Sequence, residues 1–307
     1  MTNEIANIKS AFLAPEDYTT NLIAELKSVG PVFDRLVTST IKNQTPAWCH
    51  NIWQDPKIFT FESIGDAAKI LRGMGRNWSL YPYKEFRRAK LIEEKLPHIS
   101  YKPFKFGSPL PKAPLGSWTL LDKNTILASA ECSSPFPNGE ITFDEDKTGP
   151  PNRAYLKLWE AFTHIQNFPK KGQRVLDAGA SPGGWTWVLQ NLGAEVLAVD
   201  RAVLDPSISR LSGIEFKKGD ALSFTPEDLG EFDWIFSDVI CYPDKLLEWL
   251  TPWLESGASK NFICTLKFQG SSHYSSIDKF RALPNSQLLH LSVNKHELTW
   301  IKQNKES

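Results

Sequence analysis

Short apolar segments and helical segments alternate along the second half of this chain, and this alternation restricts the fold more than any other feature. Five apolar segments predict buried strands: 174–179, 195–200, 214–220, 232–239 and 261–268. Strands that alternate with helices form parallel sheets covered by helices on both faces. The pattern therefore predicts an α/β fold with a doubly wound, mostly parallel sheet.

Two further apolar segments complete the predicted sheet. Residues 286–293 and 297–302 are separated by only three residues. Such a short link predicts an antiparallel hairpin. We therefore predict a seven-stranded sheet that ends in an antiparallel hairpin.

The first half of the chain is less regular and predicts a smaller N-terminal α+β domain. It contains three helical segments and one strand pair: 17–28, 63–74, 83–95, and 118–123 with 125–132. A connection rich in Pro, Gly and acidic residues follows at 133–152. The predicted domains are therefore residues 1–145 and 146–307.

The composition limits the possible functions. Formal net charge is zero over 307 residues, so any basic surface for nucleic acid must be local. The N-terminal segment lacks the apolar core of a secretory signal, and no run of 18 apolar residues exists to span a membrane. The four cysteines form no CxxC pair and the six histidines have no metal-ligand spacing. We expect a cytoplasmic protein with reduced thiols and no metal.

The stretch DAGASPGGW, residues 177–185, begins in the first predicted strand of the second half. Its glycines, Gly179, Gly183 and Gly184, allow a sharp turn in which a ligand can contact the backbone. In open parallel sheets, ligands bind at the carboxyl ends of the strands. The spacing is neither the dinucleotide fingerprint nor the phosphate-binding loop.

Two acidic residues suggest which ligand this turn holds. Asp200 ends the second strand, where a carboxylate can accept hydrogen bonds from ribose hydroxyls. Asp220 ends the third strand and could reach an adenine amino group. A ligand with ribose and adenine but no required pyrophosphate is S-adenosylmethionine (SAM). The alternative is an ordinary strand–turn–helix with capping acids.

Four further residues predict a proton-transfer site: Lys157, Asp238, Lys267 and Glu297. Asp238 and Lys267 end the fourth and fifth strands, so they meet at the edge that carries the glycine turn. A lysine at the end of a buried strand is costly unless it is paired, and Asp238 is a plausible partner. A lysine whose pKa is lowered from about 10.4 by burial and a nearby cation can take a proton from a hydroxyl. The alternative is that these residues are solvated charges and caps.

Together, these residues resemble the FtsJ-like family of SAM-dependent RNA ribose 2′-O-methyltransferases, which uses a Lys-Asp-Lys-Glu tetrad in this order. Within it the chain is similar to the RlmM type, which methylates a cytidine ribose in 23S ribosomal RNA. The segments PPNRAYLKLWEAF and SSPF have counterparts there, and the resemblance covers residues 150–302. It implies a Rossmann-like class I methyltransferase.

The resemblance also implies roles for individual residues. Lys267 would be the general base that activates the 2′-hydroxyl, while Lys157 and Glu297 would orient it. Asp200 would bind the SAM ribose, Asp220 its adenine and Asp238 its methionine end. The remaining SAM contacts would come from the turn and from backbone near the helix that carries Lys157: Ala154, Ser181, Pro182, Gly183, Gly184 and Trp185. That type has a larger N-terminal region with a THUMP-like RNA-binding domain, which residues 1–145 match only loosely.

A local basic region lies between Lys69 and Phe106. It contains ten basic and three acidic residues, interleaved with Trp78, Tyr81, Tyr83, Phe86, Tyr101, Phe104 and Phe106. Basic groups contact phosphate and aromatic rings stack on unpaired bases. The hypothesis is that this region guides RNA, with these candidate contacts: Arg72, Arg76, Lys84, Arg87 and Arg88. The alternative is a solvated helix face over core aromatics.

Other methyltransferase classes fit less well. A base amino-methyltransferase would carry an Asn/Asp-Pro-Pro-aromatic run where this chain has SDVICYP, and no Pro-Cys pair exists for base-carbon methylation. Three alternatives stay open: another RNA such as transfer RNA or a messenger RNA cap, a pre-ribosomal particle instead of free 23S RNA, and a non-enzymatic RNA-binding protein on a degenerate methyltransferase fold. The oligomeric state is not predicted.

Overall fold

The computed structural model describes residues 7–99, 101–269 and 274–304. The chain divides into two compact units, Met1–Phe143 and Asp144–Ser307. Within the described residues, no helix is long and apolar enough to cross a membrane.

In its described part, the first unit contains two four-stranded sheets and three α-helices. In chain order these are β1 (Ser10–Leu13), α1 (Thr19–Glu25), β2 (Val32–Phe33), β3 (Leu36–Ser39), β4 (Asn51–Trp53), β5 (Lys57–Thr60), α2 (Ile64–Met74), β6 (Trp78–Leu80), α3 (Phe86–Glu93), β7 (Gly116–Asp122) and β8 (Thr125–Ser129). The strand orders are β2-β3-β1-β4 and β5-β8-β7-β6. The predicted helices are present, and β7 and β8 form the predicted antiparallel pair.

Helix α2 shows how this unit builds its core. The Ser63 hydroxyl caps the helix by accepting the Asp66 N–H at 3.1 Å. Its apolar face buries Ala68 and Leu71 in a cluster with Trp118 of β7. Burial of such side chains is what holds a short helix against a sheet.

The second unit contains the predicted parallel sheet. In chain order its elements are α4 (Tyr155–Ile165), β9 (Arg174–Ala178), α5 (Gly184–Asn191), β10 (Glu195–Asp200), α6 (Pro206–Ser209), β11 (Ile214–Lys218), α7 (Pro226–Leu229), β12 (Trp234–Ser237), α8 (Pro243–Ser256), β13 (Asn261–Lys267), α9 (Tyr274–Arg281), β14 (Ser286–Leu289) and β15 (Glu297–Lys302). The strand order is β11-β10-β9-β12-β13-β15-β14. This is the predicted seven-stranded sheet.

The order in which successive strands are added to the sheet changes direction at β9. Strands β10 and β11 lie on one side of β9, and β12 and β13 lie on the other, all in parallel. Ligands of open α/β sheets bind at such a reversal, beyond the carboxyl ends of the strands. The glycine turn that follows β9 lies at this point.

The terminal antiparallel pair differs in detail from the predicted hairpin. Strand β15 lies between β13 and β14 and is antiparallel to both. Strand β14 ends at Leu289, so residues 290–296 form a longer connection than the three predicted residues. The connection is held by polar contacts: the buried carboxylate of Glu160 accepts the N–H and the hydroxyl of Ser292, each at 2.8 Å.

Candidate active site

The glycines of the turn after β9 allow close packing that a side chain would prevent. Gly179 has φ +82°, and a Cβ there would lie 2.5 Å from a methyl carbon of Val239. A Cβ at Gly184 would collide with the side-chain oxygen of Asn152. The backbone is therefore the surface that this turn presents, as the sequence predicted.

A cavity of about 510 Å³ lies beside this turn. Several predicted cofactor contacts line it: Ala154, Ser181, Gly184, Trp185, Asp200, Asp220 and Asp238. Lys267 also lines it. The cavity lies at the carboxyl ends of the parallel strands, where the sequence placed the ligand.

Pro182 and Gly183, the other two predicted cofactor contacts in the turn, are not among the residues that line the cavity. The Pro182 carbonyl accepts the N–H of Asp205 at 2.9 Å. Gly183 is the N-cap of α5 with φ +116°, and a Cβ there would lie 2.9 Å from Ile208. These two residues shape the turn through contacts with the segment around α6.

Asp200 and Asp220 each organise backbone at the cavity wall. The Asp200 carboxylate accepts the N–H groups of Ser181 at 3.0 Å and Ala202 at 2.8 Å. Asp220 accepts the N–H of Leu222 at 3.1 Å and pairs with the exposed Arg201. The sequence offered capping as the alternative role of these two acids, but it did not predict Arg201.

Trp185 links the turn to the helix that carries Lys157. Its buried indole N–H donates to the Ala154 carbonyl at 2.9 Å, at the start of α4. The Ala154 N–H is in turn held by the Asn152 side chain at 3.1 Å. Trp185 therefore fixes the N-terminal end of α4 against the cavity.

The four residues predicted as a tetrad lie together. Lys157 Nζ is 3.1 Å from an Asp238 carboxylate oxygen and 2.7 Å from a Glu297 carboxylate oxygen. Lys267 Nζ is 3.1 Å from the same Asp238 oxygen and donates to the Asp238 backbone carbonyl at 2.7 Å. The four side chains are between 12% and 21% exposed.

The sheet register explains this convergence. Lys267 and Glu297 are direct cross-strand partners at the ends of β13 and β15. Asp238 directly follows β12, which pairs with β13 in parallel. Lys157 reaches the same point from α4.

The two lysines have different surroundings. Burial lowers the pKa of Lys157, but the carboxylates of Asp238 and Glu297 outweigh it and raise that pKa above its ordinary value. Lys267 contacts one carboxylate and one carbonyl, and it lines the cavity, whereas Lys157 does not. Lys157 is thus held as a cation between two carboxylates, whereas Lys267 is the one of these two lysines that lines the cavity.

A buried carboxyl group lies beneath the turn at Asp177. Burial raises its pKa to about 7, although the Thr186 hydroxyl donates to it at 2.6 Å. The nearby charges of Asp238 and Asp200 raise the pKa further. One of its oxygens is buried without a hydrogen-bond partner.

The loop after β12 supplies cavity residues that the sequence analysis did not single out. Val239, Ile240 and Cys241 line the cavity, and Lys245 lines it from α8. Burial raises the pKa of the Cys241 thiol to about 11, so it is protonated at neutral pH. For Val239, Ile240 and Cys241, the position directly after Asp238 was the one sequence signal that they lie at the cavity.

Three of the predicted RNA contacts, Arg72, Lys84 and Arg88, have partners within the first unit. The Arg88 guanidinium lies over the Phe61 ring, 5.2 Å from its centroid, and Arg72 donates to the Lys95 carbonyl at 2.9 Å. Lys84 lies over the Tyr83 ring at 4.9 Å. Arg76 and Arg87 are exposed.

The aromatic residues of this region also divide into two groups. Trp78 and Tyr81 are 3% and 2% exposed, so they belong to the core and cannot stack on RNA. For these two the core alternative is the correct one. Phe86 and Tyr101 are 64% and 54% exposed.

The doubly wound sheet, the glycine turn and the cavity at its switch point define a Rossmann-like α/β domain of the methyltransferase type. A model of the family described as FtsJ-like methyltransferase matches residues 150–277. This match confirms the resemblance to FtsJ-like methyltransferases over residues 150–277.

Relatives with known names agree with that assignment. The chain is 36% identical over 120 residues to ribosomal RNA large subunit methyltransferase M of Halorhodospira halophila. This alignment covers 38% of this chain and 35% of that protein. The chain is 28% identical over 255 residues to the protein of the same name from Xanthomonas oryzae, covering 80% of this chain and 67% of that protein. Among solved structures, TrmN from Thermus thermophilus aligns over 96% of this chain and 99% of its own at 12% identity, with a TM-score of 0.36, too low to bear on function.

Proposed function

We propose that this chain transfers a methyl group from SAM to a ribose 2′-hydroxyl of RNA, with 23S ribosomal RNA in the cytoplasm as the substrate. The observation that carries the proposal is the asymmetry of the two lysines. Lys267 faces the cavity and contacts one carboxylate, while Lys157 lies between two. The family of residues 150–277 and the names of the relatives support the reaction and the substrate class.

The cavity suits a nucleoside such as SAM. Its volume of about 510 Å³ lies within the range of roughly 300–1,000 Å³ typical of small-molecule sites. Each Asp200 oxygen accepts one backbone N–H, and an ionised carboxylate has further lone pairs for ribose hydroxyls. Bound SAM would supply an electrophilic methyl group on a sulfonium sulfur.

The charge cluster would handle the proton of the 2′-hydroxyl. Lys267, as a neutral amine, would accept this proton as the ribose oxygen takes the methyl group. Lys157 would remain a cation, because two carboxylates hold it in the protonated form. With Lys267 neutral, the four groups carry one excess negative charge, which a cationic ligand in the cavity would offset.

Asp238 and Glu297 would orient the two lysines. Asp238 contacts both, and its backbone carbonyl fixes the direction of the Lys267 amine. Glu297 contacts Lys157 from the neighbouring strand. Such positioning within a few tenths of an ångström supplies much of the rate in proximity-driven catalysis.

The test is methyl transfer from labelled SAM to unmodified 23S RNA, followed by digestion and mass spectrometry of the nucleosides. The wild type should yield one 2′-O-methyl nucleoside. Lys267→Ala should lower the transfer rate by about 10²–10⁴-fold, the usual contribution of a general base, while calorimetry shows SAM still bound. Lys279→Ala is the matched control, because Lys279 forms an exposed ion pair with Asp244.

The other outcomes separate the alternatives. SAM binding without transfer to 23S RNA would favour a different RNA or a pre-ribosomal particle. Transfer to a base atom would contradict the 2′-O assignment. Absence of SAM binding would favour the degenerate, non-enzymatic RNA-binding protein.

A further inference from the structure

The first unit contains a cavity of its own, about 650 Å³ in volume. It is lined mainly by aromatic, proline and aliphatic side chains, among them Tyr101, Phe104, Leu115, Phe136 and Pro137. Its size lies within the range typical of small-molecule sites, so it can hold a group as large as a nucleoside. The proposed methyl transfer makes no use of it.

The aromatic lining of the cavity contains a packed pair of rings and one exposed ring. Phe136 is 8% exposed, and Phe104 packs on it edge to face with centroids 5.3 Å apart. Tyr101 is 54% exposed. A large exposed ring beside an apolar cavity can cover a planar ligand by stacking.

Asn138, one of the residues that line the cavity, carries a buried side-chain oxygen. This oxygen has no hydrogen-bond partner, while the side-chain amide donates to the Leu80 carbonyl at 3.4 Å. A buried acceptor without a partner favours a bound group that can donate a hydrogen bond to it. Bases carry amino and imino donors at their edges and offer apolar faces to rings.

The chain segment that contributes much of the cavity lining carries a charge that favours a polyanion. From Lys95 to Leu121 the sequence has four lysines, Lys95, Lys102, Lys105 and Lys112, and no acidic residue. Lys102 lines the cavity. The acid in the lining is Glu140, which pairs with Arg35 at 3.6 Å and lies 3.7 Å from the His50 ring.

We infer that this cavity binds an unpaired base of single-stranded RNA, stacked on Tyr101 with its edge toward Asn138. The lysines around it would hold the adjacent phosphates. This inference rests on RNA as the substrate in the proposed function, and it assigns a specific base-binding site to the first unit. The lysines favour RNA over a proline-rich peptide, which an apolar cavity alone would also suit.

The experiment compares two probes on the full chain by fluorescence anisotropy at fixed salt. One probe is a single-stranded oligoribonucleotide of mixed sequence, and the other is an abasic oligonucleotide of the same length and charge. Tyr101→Ala should weaken binding of the first probe by about 5- to 150-fold, the loss of about 1–3 kcal/mol of stacking, and leave the second unchanged.

Two further variants make the result specific. Phe168→Ala removes a ring that is 40% exposed, lies in the second unit and does not line the cavity, so it should affect neither probe. Asn138→Gly removes the buried acceptor at a position where φ is +53° and glycine is tolerated, and it should weaken only the base-containing probe. Circular dichroism of each variant checks that the unit remains folded.

The inference is overturned if Tyr101→Ala weakens both probes equally, if it weakens neither, or if a proline-rich peptide binds in place of RNA. The same variants in a Lys267→Ala background separate this test from the proposed reaction. Base-dependent binding that survives without any methyl transfer would leave the inference standing and the reaction unsupported. Methyl transfer by a protein whose RNA binding does not depend on Tyr101 would support the reaction and overturn the inference.

Discussion

The cavities of the two units are built from different kinds of residue. In the second unit, a parallel sheet brings two lysines and two carboxylates to one edge, where each charge lies within 3.1 Å of an opposite charge. In the first unit, an apolar cavity is lined partly by a segment that carries four lysines and no acid between Glu94 and Asp122. Lys102 of this segment lines the cavity, together with the paired acid Glu140. The first arrangement suits proton transfer, and the second suits contact with a polyanion.

The two cavities differ in how the protein stabilises the charges near them. Buried charges require partners, and breaking one buried pair is costly because the remaining charge is left alone. Exposed lysines cost little and stay available to external phosphates. Substitutions in the second unit should therefore change catalysis and stability, while those in the first should change RNA affinity.

The largest effect is expected from Lys157→Met. Without Lys157, Glu297 would lose its recorded cation and Asp238 would keep only Lys267 as a partner. Methyl transfer should fall by about 10²-fold or more, and the free energy of unfolding in urea should fall by about 3–5 kcal/mol. Adding Glu297→Gln should recover part of the stability and none of the rate. A Lys157→Met variant with normal transfer would show that the cluster is not needed for proton transfer.

A second effect concerns the pH dependence of stability and arises from the buried carboxyl of Asp177. Its pKa in the fold is about 7, against an ordinary value of 3.8. Because the folded state holds this proton more tightly, its contribution to stability is complete below about pH 4 and is lost as pH rises to 7. The loss is about 1.4 kcal/mol for each pH unit between the two values. Relative to Asp177→Asn, the wild type should therefore lose unfolding free energy between pH 4 and pH 7.

Urea unfolding of both proteins at several pH values measures this difference, with a change of about 4 kcal/mol as the upper estimate. A constant difference between the two proteins across this range would mean that Asp177 is ionised at neutral pH in the fold.

A smaller effect is expected in the first unit from Arg87→Glu. Arg87 is exposed, so charge reversal should lower RNA affinity several-fold and reduce its salt dependence, while SAM affinity stays the same. Arg88→Glu is the contrast: Arg88 packs on Phe61, so this change should mainly lower the melting temperature. Filter binding over a salt series distinguishes them, and unchanged RNA affinity in Arg87→Glu would remove this surface from the RNA path.

The sequence predicted the second unit well because its strands are buried and regular. Apolar runs such as those of β9 and β10, when they alternate with helices, are readily recognised as buried strands. The ends of such strands place Asp238 and Lys267 at one edge of the sheet. The connection at 290–296 was not predictable, because the contact between Glu160 and Ser292 joins residues far apart in sequence. Arg201 and Lys245 were missed for the same reason.

The first unit was predicted less completely. Strands β1 and β4 have four and three residues, too short for a clear alternation, and β4 contains Asn51. Trp78 and Tyr81 lie within a basic segment, yet their side chains turn into the core. Composition could not separate them from the exposed rings of Phe86 and Tyr101, because burial depends on the tertiary fold.

The central claim is that Lys267 is the base and Lys157 is a fixed cation. Rescue by a small amine tests this most directly: methylamine is added to Lys267→Ala and to Lys157→Ala, and the initial rate of 2′-O-methyl formation is measured against pH. With Lys267 as the base, the amine should restore activity to Lys267→Ala in proportion to its neutral form, so that rescue grows as pH rises. Lys157→Ala should not be rescued in this way. Rescue of Lys157→Ala by the neutral amine, without rescue of Lys267→Ala, would contradict this claim.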